Sequence, residues 1–402
     1  MKKVIKIVLA LVLAASSLGA MAAGDAAAVL ASLKQRIARD GRTAVWDVNT
    51  TTQDGQLVVY GTVGTQEQKD AVTKELNDNG LAGCDNRLIV LENTVDPGKR
   101  WALVKLSIAT CRVEGRHAAE MATQAIMGTP VKVIQLTDEW ARVVTPDGYI
   151  SYVPQSSITF MTAQQLQAWR KATRYIVTTY DSRLVTEPKG DATVSDLVLG
   201  NILEYKGKKG KWLLLATPDG RQGYVPQTDV QELSQWAQQP FSAQLVKSTA
   251  RRMMGSSYLW GGTSTKVTDC SGLAKVSYFA CGIILQRDAS QQALTGMKIA
   301  GTDWRQCKLG DLLFFGNNAT GRVTHVGIYL HDGYYIHCSG QVKINNLDPA
   351  DPSYLYDPIS CSRIDGQEGS TGITWVRNHP WYFLLKFQPC YHDTAKNKFR
   401  KL

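Results

Sequence analysis

The chain has 402 residues, 44% of them hydrophobic and 20% charged, with a formal net charge of +10. That length and apolar content exclude a single small domain: several cores can be buried, and two to four domains are expected. The basic residues are dispersed apart from a short run at 396–401, which excludes the concentrated stripe that nucleic-acid binding requires.

Lys2, Lys3 and Lys6 precede an apolar run from Ile7 to Leu13, followed by Ala20-Met21-Ala22. This pattern predicts a secretory signal peptide over residues 1–23, cut after Ala22 or Ala23. The apolar run is too short for a transmembrane anchor, and the first cysteine is Cys84, so no lipid-attachment cysteine stands at the cleavage site. The expected product is an exported protein, periplasmic or secreted. Losing three lysines lowers its formal charge to about +7.

Residues 24–96 read as a small α+β domain. Ala26 to Arg39 has helical periodicity, Gln56 to Tyr60 reads as a strand, Thr65 to Asn79 as a helix capped by Thr65 with Gln68 three residues on, and Leu88 to Leu91 as a strand. An internal repeat follows. Trp140, Thr145-Pro146-Asp147-Gly148 and Tyr152-Val153-Pro154-Gln155 recur 72 residues later as Trp212, Thr217-Pro218-Asp219-Gly220 and Tyr224-Val225-Pro226-Gln227. Short alternating strands broken by Pro-Asp-Gly turns predict two small antiparallel barrels, within 97–162 and 163–235. A helix beginning near Thr162, with Leu166 and Trp169 on one face, joins them.

The remaining segment, 236–402, carries the chemistry. Ser242 to Met254 is predicted helical, with Leu245, Val246, Ala250 and Met253 on one side. Cys270 then stands at the start of a second helix, where Asp269 is a cap and Leu273, Val276 and Ala280 recur before Gly282. Helix N-termini favour thiolate over thiol, so this cysteine is expected to ionise readily. An apolar strand at Asp311 to Phe315 leads to two β-rich runs around His331-Asp332-Gly333, read as a hairpin. With that three-residue loop the pairing sum is even, and His325 and His337 project from one face as diagonal neighbours. Taken singly these are an ordinary core cysteine and ordinary strand histidines. Together they supply a nucleophile, a base and a group to orient the base. His331 is read as a turn residue. The eight cysteines lack the pair spacing of a metal site; export permits disulfides, and if Cys270 stays free the other seven are odd in number.

Asp269-Cys270-Ser271-Gly272, then His325-Val326-Gly327-Ile328-Tyr329, then His337 resemble the signature of the NlpC-type cysteine peptidases, papain-like hydrolases of bacterial cell-wall peptides, over roughly residues 240–390. The repeated segments resemble bacterial SH3-type domains. The implied architecture is a multidomain α+β protein with a papain-like (NlpC-type) catalytic domain, two small SH3-like β-barrels and a small N-terminal α+β domain. The resemblance implies Cys270 as nucleophile, His325 as general base and His337 as the residue orienting His325, with no metal or cofactor. Thiolate attack on a peptide carbonyl would give an acyl-enzyme, imidazolium His325 would protonate the leaving amine, and the Cys270 N–H would face the oxyanion.

Members of that family with paired SH3-type domains resemble γ-D-glutamyl-L-diamino acid endopeptidases that require a free N-terminal L-alanine. The resemblance implies that peptidoglycan stem peptides are the substrate and that the cleaved bond joins γ-D-Glu to a diamino acid. Tyr149 and Glu120 would close one end of the cleft, and Tyr258 and Trp260 would wall it. Asp269 and Asp288 would face the substrate ammonium, and Ser271 would offer a hydroxyl. Glu120 stands two residues from the family's acidic position, which Ala122 occupies, and Ala289 replaces the family's serine after Asp288. The alternatives are a broader sacculus endopeptidase or amidase tethered by its barrels, and a non-catalytic wall-binding protein.

Overall fold

The computed structural model describes residues 24–299 and 303–384. The expected signal peptide over 1–23, Cys390 and the basic run at 396–401 lie outside the described residues. The chain forms two compact units, one ending at Ala125 but including Val131–Thr162, the other made of Ile126–Pro130 and the chain from Ala163 onward.

In the first unit a helix over 24–37 and the helix Gln66–Asp78 pack on a sheet of Trp46–Gln53, Gln56–Val63 and Asp85–Val90. The first two strands form a hairpin. The second and third run parallel, and a parallel pair needs a crossover, which Gln66–Asp78 supplies. Thr65 and Gln68 make the reciprocal capping box at its start. Leu30, Leu33, Val59, Val63, Val72 and Leu76 form the core beneath it. The strand Trp46–Gln53 was not anticipated: its run WDVNTTTQ alternates only between half-buried and exposed, so no apolar period announces it. The same unit carries a seven-stranded sheet that begins at Trp101–Val104 and ends at Ile158–Met161.

The second unit opens with the helix Ala163–Lys171, which buries Leu166 and Trp169, and continues into another seven-stranded sheet between Arg174 and Glu232. The sequence repeat is a repeat of backbone pairing. Trp140 pairs with Pro154 and Val144 with Ile150 in one sheet; Trp212 pairs with Pro226 and Ala216 with Gln222 in the other. In each turn a threonine hydroxyl donates to the aspartate two residues on, Thr145 to Asp147 and Thr217 to Asp219.

The rest of the second unit sets helices against a six-stranded sheet. Ala243–Arg252, capped by Ser242, packs beside the cysteine helix Cys270–Phe279, and their shared core includes Val246, Ala250, Met253, Leu273, Phe314, Val326 and Ile336. The sheet order is Met297–Lys298, Ser360–Arg363, Leu312–Asn317, Arg322–His331, Tyr334–Ser339, Gln341–Asn346. One helix thus presents the cysteine to a sheet that presents the histidines. This is the papain-like arrangement.

Candidate active site

Cys270 opens its helix because Asp269, in extended backbone, ends the preceding loop and accepts the Gly272 N–H at 2.7 Å. That loop passes so close that a Cβ on Gly272 would lie 2.0 Å from the Gly262 carbonyl oxygen, which explains the glycine two residues after the cysteine. The loop is also tied to the second seven-stranded sheet: the Thr265 hydroxyl donates to the Tyr180 carbonyl at 2.8 Å and the Tyr180 hydroxyl donates to the Thr265 carbonyl.

Beneath the cysteine lies a buried ionic cluster. Arg287 Nη2 and Nη1 donate to the two Asp269 carboxylate oxygens at 2.5 and 3.2 Å, and Nη1 also donates to the Ser271 hydroxyl at 2.9 Å. Ser271 in turn donates to Asp269 at 3.1 Å, and the Gly261 N–H completes the carboxylate's partners at 2.9 Å. The arginine and aspartate side chains are 1% and 6% exposed. Asp269 thus already faces one cation, Arg287, and the Ser271 hydroxyl is held between Arg287 and Asp269. A carboxylate buried this deeply needs such a partner, since an unpaired buried charge is costly.

The histidines stand on one face of adjacent strands. Gly327 pairs with His337, so His325 is the diagonal neighbour of His337, and His325 Nε2 lies 2.7 Å from His337 Nδ1. A Cβ on Gly327 would meet Tyr335 at 2.8 Å and His337 at 3.4 Å, so the glycine makes room for this pair. The hairpin loop differs from expectation. Only Asp332 and Gly333 form it, both at positive φ, and His331 ends the strand paired with Tyr334. A bulge between Tyr329 and His331 restores the even pairing sum. A third group continues the line: His337 Nε2 meets Asn345 Oδ1 at 2.8 Å, and Asn345 Nδ2 donates to the Ser353 carbonyl at 2.6 Å.

Cys270 Sγ lies against the backbone N–H groups of Val326, next to His325, and of Ser271. Tyr356 faces both the thiol and the His325 ring, whose centroid is 6.4 Å from its own. Burial pushes the Cys270 thiol up to about 11 and Asp269 adds to the rise, against the two N–H groups and Arg287. Burial, then the neighbouring His337, pushes His325 down to about 3; burial and Lys343 take His337 to about 4, against the Asn345 bond. Desolvation thus opposes the thiolate that the helix terminus favours, and burial favours a neutral thiol beside a neutral imidazole.

Of the other predicted residues, Tyr258 is half-buried against the core near Cys270, and its hydroxyl is pushed well up by burial and by the thiol. Trp260 is 57% exposed. Asp288, half-buried, caps the short helix Ala289–Gln292, with Ser290 within it. Glu120 is exposed just before the strand Met121–Ile126 of the first unit, and Tyr149 is buried there after the Thr145 turn. Sequence reasoning missed Asn345 and the engagement of Arg287. For Asn345 the signal was present: a strand running back from Gly340 pairs His337 with Lys343 and puts position 345 on the histidine face. Among the described residues no group of three or more His, Cys, Asp or Glu is disposed to hold a metal ion, and no helix is long and apolar enough to cross a membrane.

Residues 255–358 match the NlpC/P60 family, and 111–158 match the bacterial dipeptidyl-peptidase Sh3 domain. The chain is similar to dipeptidyl-peptidase 6 of Lysinibacillus sphaericus, 28% identical over 274 residues that cover 64% of this chain and 95% of that one. It is 30% identical over 223 residues to a gamma-D-glutamyl-L-lysine dipeptidyl-peptidase of Bacillus subtilis strain 168, covering 54% of this chain and 71% of that protein. A crystal structure of an NlpC/P60 family protein from Bacillus cereus ATCC 10987 superposes with a TM-score of 0.58 at 21% identity, over 66% of this chain and 99% of that one.

Proposed function

Because the chain belongs to the NlpC/P60 family of cysteine peptidases, we propose that it hydrolyses the γ-D-glutamyl–diamino acid bond of peptidoglycan stem peptides that carry a free N-terminal L-alanine. The observation that carries this reading is the line of Cys270, His325 and His337, in a chain that covers 71% of a relative named for the γ-D-glutamyl-L-lysine bond. The coarser statement, a cell-wall peptidase, rests on the same relatives.

In the proposed reaction the Cys270 proton passes to His325 as sulfur attacks the carbonyl, since the resting groups are both neutral. The oxyanion faces the Cys270 N–H, which as the first residue of its helix has no carbonyl one turn before it. Imidazolium His325 gives its proton to the leaving amine, and water activated by His325 then hydrolyses the thioester. Asp269 and Asp288 are the carboxylates of this unit assigned to the substrate amine, with Ser271 offering its hydroxyl; the assignment of Glu120 and Tyr149 to that end rests on the family resemblance. Tyr258 and Trp260 are proposed as walls of the cleft, and the sheet between Arg174 and Glu232 as a second SH3-type domain. The test is L-Ala-γ-D-Glu-diaminopimelate against its N-acetylated form. Acetylation is expected to abolish most turnover, and equal turnover overturns recognition of the amine.

A further inference from the structure

Asn345 is not among the residues that the chemistry requires by name, yet it ends a line of hydrogen bonds in which each direction is forced by the one before. The Ser353 carbonyl can only accept, so the Asn345 atom 2.6 Å away is its NH₂. That fixes the amide the other way at its far end: Oδ1 faces His337 Nε2 at 2.8 Å and must accept a proton from it. A neutral imidazole carries a single N–H, so His337 Nδ1 is bare and accepts from His325 Nε2 at 2.7 Å. Neutral His325 then has its own proton on Nε2. Its Nδ1, turned away from His337, is bare.

The anchor of this line is itself built. Ser353 is held by Asp351, whose carboxylate accepts the Ser353 N–H at 2.8 Å and hydroxyl at 2.6 Å, and which also accepts the Tyr334 hydroxyl at 2.8 Å. The His325 and His337 rings are packed by Phe315, Tyr335 and Tyr356, the charged groups acting on them are Lys343 and, at His325, Asp269, and Tyr356 is near both His325 and the Cys270 thiol. Lys343 opposes a second proton on either ring, which keeps His337 an acceptor.

We propose that Asn345 is a positioning residue of the active site: oriented by the Ser353 carbonyl, it sets the tautomers of His337 and then His325, so that His325 presents a bare Nδ1 to the thiol. The opposite amide orientation would reverse every bond and leave an N–H where the base is needed. The same line stabilises His325 once it has taken the thiol proton, because its Nε2–H already points at a fixed acceptor. The proposal rests on the reading of Cys270, His325 and His337 as catalytic, and on no particular peptide substrate.

The direct test is nitrogen NMR of the substrate-free protein labelled in histidine, at pH 7. Both His325 and His337 are expected as the Nε2–H tautomer; an Nδ1–H form of either overturns the proposal. Asn345→Ala is expected to lower kcat by roughly 10–100-fold with little change in KM, the range for losing a partner that orients a functional imidazole. Asn345→Asp keeps the acceptor but favours a second proton on His337, so the acid limb of kcat/KM is expected at higher pH than in the wild type. Wild-type kcat and pH profile in Asn345→Ala overturn the proposal, and if that variant does not fold the spectrum of the wild type decides. Normal cleavage by Cys270→Ala would instead sink the catalytic reading and leave the tautomers as observed.

Discussion

At the scale of single residues, the chemistry is set by desolvation. A cysteine at a helix N-terminus is expected to be acidic, but Cys270 is 7% exposed, with Asp269 next to it, and its thiol is pushed up to about 11. In the proposed reaction ionisation is thus deferred until substrate arrives and His325 takes the proton. Alkylation of Cys270 by iodoacetamide, followed by peptide mapping, is therefore expected to accelerate steadily as pH rises toward about 11. A flat, fast rate from pH 4 to 8 would reveal a resting thiolate and contradict this account. Arg287 shows the same logic from the other side: Asp269 reads in the sequence as an isolated carboxylate beside a nucleophile, and only the fold brings in the guanidinium that neutralises it.

At the scale of elements, close approach explains residues that periodicity leaves unexplained. The loop ending at Asp269 and the helix beginning at Cys270 touch through Gly272, where an added Cβ would stand 2.0 Å from the Gly262 oxygen and 2.8 Å from the Thr268 hydroxyl. Gly272→Ala is expected to destabilise the protein by roughly 1–3 kcal/mol, the usual cost of overpacking. Unchanged unfolding in a denaturant titration would show that the contact can relax. The cysteine helix, its cap, the linker helix and the facing of His325 toward His337 were all legible, because each rests on a strong local period or a capping residue. The hairpin shows where legibility ends. Its turn is one residue shorter than the sequence suggested, and a bulge at Leu330 compensates, so the face came out correctly although the loop did not. Bulges leave no sequence period, and Asn345 was passed over because its partner His337 is one strand away and its anchor Ser353 lies in an irregular loop.

At the scale of the whole molecule, the buried neutral histidines couple catalysis to acid stability. An unfolded histidine titrates near 6.5, whereas His325 and His337 in the fold are pushed down to about 3 and about 4. Below 6.5 the unfolded chain therefore binds protons that the folded protein refuses. Their contribution is intact above 6.5 and is lost as pH falls through about 4 and about 3. The melting temperature is expected to drop over that window, and less steeply in a His325→Gln, His337→Gln double variant. Parallel pH profiles would contradict the burial argument. The repeated turns at Thr145 and Thr217 and their matching registers show one building plan used twice, once in each unit, while Cys270, His325 and His337 all lie in the second. The measurement that tests the central claim most directly is mass-spectrometric identification of the products from L-Ala-γ-D-Glu-diaminopimelate. L-Ala-D-Glu and free diaminopimelate from the wild type, and neither from Cys270→Ala, is the predicted result; cleavage at another bond, or unchanged cleavage by the variant, would contradict it.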